Sequence, residues 1–423
     1  MILSIIASDI IAAHLTSRAE KAGIPLQQIL TGAHPTGNTV QTLAVAEWLI
    51  EDSEHTADIL IAYLRKWAHK YHDAGYTRPF EEWLGNTNHA TIDTPDNTPA
   101  LRIAPIALYA HNLDEALHLA KISAEATHSH PDSIKSAQAT AAAIHLAHKG
   151  ASKQEIKTYL EHTFGYNLST AAETSDTTVE AIRIYLDSNS LEETIRRAAA
   201  TGNPTITTIS ATLASATCGD GYTLNEERRR ACLSILPSRM INYIYTFNHL
   251  LAHPTIDTPI RNSYKVDDRI YAGEYPATAN EKLGRRDIDR FIRFGITHFI
   301  DLTESGELLP YTQWLHKEQT HIRFAIKDCG VPTTDKTAQL IKTITTILKE
   351  KENRIYIHCR GGIGRTGTIA ACYYATFLKE YHPVIDLLTR QYSHCPKSAY
   401  RSSPETLEQK RFIMQYIDYI SKQ

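Results

Sequence analysis

The stretch Ile355-Tyr356-Ile357-His358-Cys359-Arg360-Gly361-Gly362-Ile363-Gly364-Arg365-Thr366-Gly367 sets both the fold class and the chemistry of the C-terminal part of this 423-residue chain. Its β-branched and aromatic opening, 354–357, reads as a buried strand. The strand hands a cysteine to a glycine-rich turn, and the apolar run 368–378 then reads as a helix. A strand, a glycine-rich loop and a helix N-terminus together form an anion cradle. Successive backbone N–H groups point inward there, and the helix dipole favours negative charge. Gly361, Gly362 and Gly364, with Arg360 before them and Ile363 among them, let the backbone wrap a ligand closely. Arg365, six residues after Cys359, returns to the bowl as a planar fork able to grip two oxygens of a tetrahedral anion. The same positive surroundings favour the thiolate form of Cys359, a nucleophile.

Working outward, short strand-like runs alternate with helices from Tyr264 onward. The strands are expected over 269–272, 298–302, 321–326 and 354–357, and the helices over 288–294, 337–351, 366–379 and 404–420. That alternation predicts an α/β domain around a central, mostly parallel sheet. Residues before about 250 behave differently. Three- and four-residue apolar spacing marks helices over 40–50, 59–71, 113–126, 133–148 and 156–164. Ser152 with Glu155 and Ser190 with Glu193 read as capping boxes, and the Ala/Thr/Ser-rich stretch 198–217 reads as one closely packed helix. Strand alternation is almost absent, so this half is expected to be all-α. Two prolines and polar residues in His253-Pro254-Thr255-Ile256-Asp257-Thr258-Pro259 interrupt the periodicity. The chain is therefore expected to be multidomain, with domains at 1–252 and 263–423 joined by a linker at 253–262.

Charge is nearly balanced, with 44 basic and 47 acidic residues, which argues against a nucleic-acid groove or a polybasic membrane patch. Six cysteines (218, 232, 329, 359, 372 and 395) form no CxxC pair, a usage that suits a reducing cytoplasm. The apolar N-terminus has no basic n-region and carries Asp9, so no signal peptide is expected. No uncharged apolar run approaches a membrane span. Oligomeric state is left open by these patterns.

Cys359 followed by five residues and Arg365, with His358 before and Thr366 after, resembles the phosphate-binding loop of cysteine-dependent protein tyrosine and dual-specificity phosphatases. The likeness extends over roughly 262–423. It takes in Ala272-Gly273-Glu274-Tyr275-Pro276 and Ile300-Asp301-Leu302-Thr303-Glu304, which are similar to a bacterial branch of that superfamily. The resemblance implies metal-independent hydrolysis of phosphomonoesters, without a cofactor, through a phosphocysteine. The substrate would be a phosphorylated protein (phosphotyrosine or phosphoserine/threonine) or a small phosphomonoester. Asp328, 31 positions before Cys359 and just ahead of Gly330-Val331-Pro332, matches the general-acid loop, with Asp335 as the nearby alternative. Thr366 would hydrogen-bond the departing thiolate, and His358 would orient and acidify the cysteine. Gln409, in Ser403-Pro404-Glu405-Thr406-Leu407-Glu408-Gln409, would position the hydrolytic water. Cys329 and Cys372 are candidates for a reversible disulfide with Cys359, with packed thiols as the plainer reading.

The N-terminal half resembles an ADP-ribosylglycohydrolase of the DraG type through segments that keep family order. They are Asn97-Thr98-Pro99-Ala100-Leu101-Arg102-Ile103-Ala104-Pro105, Thr127-His128-Ser129-His130-Pro131, 137–150, Phe164-Gly165-Tyr166 and Thr178-Val179-Glu180-Ala181-Ile182. Family chemistry rests on two carboxylate clusters that hold a pair of Mg²⁺ ions. Here those clusters read Thr36-Gly37-Asn38-Thr39 and Thr201-Gly202-Asn203-Pro204-Thr205-Ile206, with all four acids replaced. Asp9 remains, and Asp96, Asp176 and the His128/His130 pair are the other groups that could supply ligands. No metal is expected, and the domain is expected to be inactive as a glycosidase. Thr36, Asn38, Asn97, His128, His130 and Asn203 mark a candidate cleft for ADP-ribose or a nucleotide. A pure scaffold is the other reading. Two further readings stay open: a phosphatase acting on a phosphorylated ADP-ribose or nucleotide, and a recruitment module with residual glycohydrolase activity.

Overall fold

The computed structural model describes residues 2–16, 26–30, 32–86, 90–169, 174–217 and 225–422. The chain divides into two compact units, Met1–Ala252 and His253–Gln423.

Among the described residues the first unit is helical, with a single isolated bridge between Ile92 and His128. The helix Ile2–Thr16 is buried nearly all round, from Ile2 and Ile6 to Ile10 and Leu15. A helix apolar on every face belongs at the centre of a helical assembly, and this one packs on Pro204–Ala216. Small residues allow similar closeness in Pro131–His148, where Ala137, Ala139, Ala141, Ala142, Ala143 and Ala147 are all buried. The capping box of Ser152 with Glu155 forms in full. The second box forms by half: Ser190 accepts from the Glu193 amide, but Glu193 turns its carboxylate to the Asn189 amide. The stretch 198–217 is not one helix. Leu191–Ala199 ends in a turn where Gly202 adopts φ +68°, and Asn203 caps a new helix over Pro204–Ala216. Proline at the first helical position starts a helix but interrupts one already running.

The second unit is a three-layer α/β/α structure. Its strands are β1 (Ser263–Asp267), β2 (Ile270–Gly273), β3 (His298–Asp301), β4 (Thr320–Arg323) and β5 (Ile355–His358). They lie in the order β1-β2-β5-β3-β4, parallel except for the β1–β2 hairpin. β1, an edge strand, was not expected from the sequence, and β4 stops at Arg323 rather than continuing to 326. Alternation along β5 sends Ile355 and Ile357 into one core and Tyr356 into the other. The first core is closed by helices Thr334–Ile347, Gly364–Leu378, Tyr381–Tyr392 and Leu407–Ile420, and the second by Glu281–Arg293. Tyr381–Tyr392 was also unexpected; it holds on through a narrow stripe of Val384, Leu388 and Tyr392. In the irregular stretch 253–262, Thr258, Ile260, Arg261 and Asn262 are buried, and Arg261 donates to the carbonyls of His253 and Pro254. No helix among the described residues is long and apolar enough to cross a membrane.

Register aligns the strand ends. Gly273 pairs with His358, His358 with Asp301, and Asp301 with Arg323, so one row crosses the carboxyl ends of four parallel strands. That edge is where open α/β sheets bind ligands, and central β5 delivers Cys359 to it.

Candidate active site

Cys359 follows the last residue of β5 and is 4% exposed. The loop after it folds back against the end of β2. Gly362 adopts φ +73°, and a Cβ there would collide with the backbone of Gly273 and Glu274. Gly364 opens the helix Gly364–Leu378, and a Cβ on it would lie 2.8 Å from Gln409 Nε2. Gly362 admits no side chain, whereas one at Gly364 would have to displace the Gln409 amide. Arg360 stays exposed at the mouth, and Ile363 is buried.

Arg365 is 2% exposed, and a carboxylate the sequence reading did not single out holds its fork. Glu307 accepts from Nη1 at 2.7 Å and from Nη2 at 2.6 Å, a bidentate pair. Nη1 also donates to the Ile326 carbonyl at 3.0 Å. Asp328 reaches the same guanidinium, with Oδ1 3.0 Å from Nη2, while its side chain remains 57% exposed. Burial opposes the Arg365 charge, yet Glu307, Cys359 and Asp328 together hold its pKa above the ordinary value. The pair with Arg365 in turn holds the Glu307 carboxyl below its usual range. Asp335 is committed elsewhere, accepting from the Tyr419 hydroxyl at 2.6 Å.

Behind the loop lies a buried polar row. His358 Nε2 is 2.7 Å from the Tyr311 hydroxyl, and its Nδ1 is 3.9 Å from Asp301. Burial drives the imidazole down to about 4 despite the pull of Asp301. The neutral imidazole is therefore favoured near pH 7, which runs against the expected acidification of Cys359 by a charged His358. Burial also resists ionisation of Asp301, but His321, His358 and Thr303 hold its carboxyl well below the usual range. Thr303 donates to it at 2.6 Å, and Arg323 lies 3.0 Å away.

The Thr366 hydroxyl is buried without a hydrogen-bond partner, one residue beyond Arg365. Gln409 is fully buried beside the loop. Its Oε1 accepts from the amides of Glu405 and Thr406 at 3.0 and 3.1 Å, completing a capping box, while Nε2 faces the Gly330 carbonyl at 3.4 Å. Two backbone donors fix which amide atom is oxygen. The acceptor that would orient a water is thus engaged in the cap. Cys329, Cys359 and Cys372 are all free thiols; Cys329 is exposed, and burial pushes Cys372 upward. Cys218 lies outside the described residues.

In the first unit, Asp9 gathers the altered clusters. It accepts from Thr36 and Thr39 hydroxyls at 2.6 Å each, from Asn38 Nδ2 at 3.3 Å and from Thr208 at 3.4 Å. Burial raises its pKa against those donors. Asn203 spends its side chain capping Pro204–Ala216. Asn97 bonds Thr177; Asp96 accepts from Thr98 and lies 3.4 Å from His128 Nε2; Asp176 caps Thr177–Leu186. His130, partly exposed, caps Pro131–His148. The six cleft candidates thus fall into separate hydrogen-bonded groups: Thr36 and Asn38 on Asp9, Asn97 and His128 around the Asp96–Thr98 turn, and His130 and Asn203 at helix caps. Among the described residues no group of three or more His, Cys, Asp or Glu side chains is arranged to hold a metal ion. One carboxylate ringed by hydroxyl and amide donors does not fit a Mg²⁺ pair, which needs hard anionic oxygens. Thr208, a turn beyond the second cluster, was missed because motif matching stops at Ile206.

Comparisons with known proteins agree with this division. Residues 8–233 match the family model for ADP-ribosylglycohydrolase, and residues 274–413 match that for "Swiss Army Knife protein, DSP-PTPase phosphatase domain". "Putative tyrosine phosphatase 067L" of Invertebrate iridescent virus 3 is 28% identical over 164 residues, covering 36% of this chain and 64% of its own length. "Protein tyrosine phosphatase domain-containing protein 1" of Mus musculus is 31% identical over 123 residues, covering 26% of this chain and 16% of its own length. The chain thus spans less than two thirds of either relative. A solved "ADP-ribosylglycohydrolase-related protein complex" covers 57% of this chain and 99% of its own at 20% identity, with a TM-score of 0.40. The chain belongs to the ADP-ribosylglycohydrolase family through its N-terminal unit and carries a tyrosine/dual-specificity phosphatase domain in its C-terminal one.

Proposed function

We propose that the C-terminal unit is a metal-independent cysteine phosphatase acting on phosphomonoesters, with phosphotyrosine or phosphoserine/threonine in proteins as the substrate class. The observation that carries this is a buried Arg365 in the Cys359 loop, with the Asp328 carboxylate 3.0 Å from its guanidinium. Phosphate competes with Asp328 for the Arg365 fork and so releases the acid toward the leaving oxygen. The Cys359 thiolate attacks phosphorus, the P–O bond to the leaving group breaks, and Asp328 supplies the proton. Thr366, whose hydroxyl has no other partner, donates to the sulfur as it leaves. Water then attacks the phosphocysteine with Asp328 as base: the S–P bond breaks, Cys359 is regenerated, and Asp328 takes the proton from the water. The likeness to tyrosine phosphatases supports the same chemistry. The test is phosphate release from an aryl phosphate by the full chain in excess EDTA. Turnover is expected to persist, and a loss restored by added metal would overturn the proposal.

For the N-terminal unit, the Asp9 hub supports a domain converted from glycosidic cleavage to a binding or scaffold role. Mg²⁺-dependent release of ADP-ribose from modified arginine or serine is expected to be absent. Calorimetry with ADP-ribose, with and without Mg²⁺, separates the two roles. Heat without metal gives a binding domain, no heat gives a scaffold, and binding that requires Mg²⁺ contradicts the conversion.

A further inference from the structure

We propose that Lys397 and Ser403 are positioning residues that turn the carbonyls of the Cys359 loop outward, so that its glycine amides face the phosphate. The inference rests on the reading of that loop as a phosphate cradle.

An anion cradle is made of N–H groups, and each inward N–H leaves the carbonyl of the same trans peptide pointing the other way. Those carbonyls lie inside the protein and need donors. Three of them have donors from outside the loop. The Arg360 carbonyl accepts from the Tyr275 amide at 3.2 Å. The Gly361 carbonyl accepts from Lys397 Nζ at 2.8 Å. The Ile363 carbonyl accepts from Ser403 Oγ at 2.8 Å. By peptide geometry the amides of Gly361, Gly362 and Gly364 therefore point away from Tyr275, Lys397 and Ser403.

Lys397 is the unusual member. It is 5% exposed, in the short turn Pro396–Ala399, and taking an ammonium out of water is costly unless it is paired and hydrogen-bonded. Its partner is Glu274, whose Oε2 accepts from Nζ at 2.6 Å. Glu274 is itself fixed just beyond β2. Its Oε1 accepts from Asn262 Nδ2 at 3.0 Å, its amide donates to the Asn262 carbonyl at 3.1 Å, and its carbonyl accepts from the Tyr356 hydroxyl at 2.7 Å. A fixed cation on the carbonyl side of the Gly361–Gly362 peptide polarises that peptide and makes the Gly362 N–H a stronger donor to an anion. Ser403 does similar work at the helix start, where a Cβ on Gly367 would collide with its hydroxyl. Neither residue touches the phosphate; both act through the backbone.

The experiment uses the full chain and inorganic phosphate as the probe, read as competitive inhibition of aryl phosphate turnover and as direct calorimetric binding. Lys397→Met is expected to weaken phosphate binding on the order of tenfold, with KM for the aryl phosphate rising by a similar factor. Lys397→Arg is expected to recover most of that loss, and Ser403→Ala to show a smaller loss of the same kind. Unchanged phosphate affinity in folded Lys397→Met overturns the proposal, as does a loss in kcat alone. Should Lys397→Met not fold, Ser403→Ala decides: wild-type phosphate affinity in that variant also overturns it. Because the calorimetric arm reads the loop without turnover, an enzyme that bound phosphate but released none from esters would fail the phosphatase reading and leave this one standing.

Discussion

Cys359→Ser will release no phosphate from an aryl phosphate above the uncatalysed rate, a loss on the order of 10⁴-fold or more, as for other removed nucleophiles. A serine hydroxyl is a far weaker nucleophile toward phosphorus than a cysteine sulfur and stays un-ionised near neutral pH. The substitution is close to isosteric at a side chain only 4% exposed, so the fold and the anion pocket should survive. Phosphate should still bind this variant, which separates loss of chemistry from loss of the site. Retained turnover would mean that some other group attacks phosphorus.

Asp328→Asn is expected to lower kcat/KM on the order of 10²-fold or more for alkyl phosphates, with only a small effect on aryl phosphates whose leaving group departs unprotonated. The difference between the two substrates is the diagnostic. An asparagine cannot give up a proton, but it keeps the shape of the side chain beside Arg365 Nη2. A steady-state comparison over leaving groups of graded pKa checks it. Equal loss on both classes would remove Asp328 from the proton transfer. Asp335 is placed poorly to take over, because its carboxylate is tied to the Tyr419 hydroxyl.

Much of the site was legible because it is contiguous. The run from His358 to Thr366 carries the proposed nucleophile, the glycine loop and the guanidinium within nine positions, and local physics ties a strand, a glycine turn and a helix start to those residue types. Asp328 was reachable through its place beside Gly330. Glu307 and Lys397 were not, since each sits in a separate turn with no fixed spacing to Cys359, and only the folded chain brings them to the loop. The place of Gln409 near the loop could be read from the motif, but its engagement as a helix cap, which takes up the acceptor expected to orient a water, depended on how Thr406 starts that helix. In the first unit the lost acids could be read directly, whereas the convergence of Thr36, Thr39 and Thr208 on Asp9 needed helices distant in sequence to meet. The missed helix Tyr381–Tyr392 shows the limit of periodicity, because a stripe of three residues one turn apart is hard to tell from chance.

The measurement that tests the central claim most directly is rapid acid quench during turnover of an aryl phosphate, followed by mass mapping of the peptide that contains Cys359. One phosphoryl group on the Cys359 sulfur is predicted, and it should be absent from Cys359→Ser under the same conditions. Turnover with the phosphoryl group on another residue, or with no modified residue at all, would contradict a phosphocysteine mechanism.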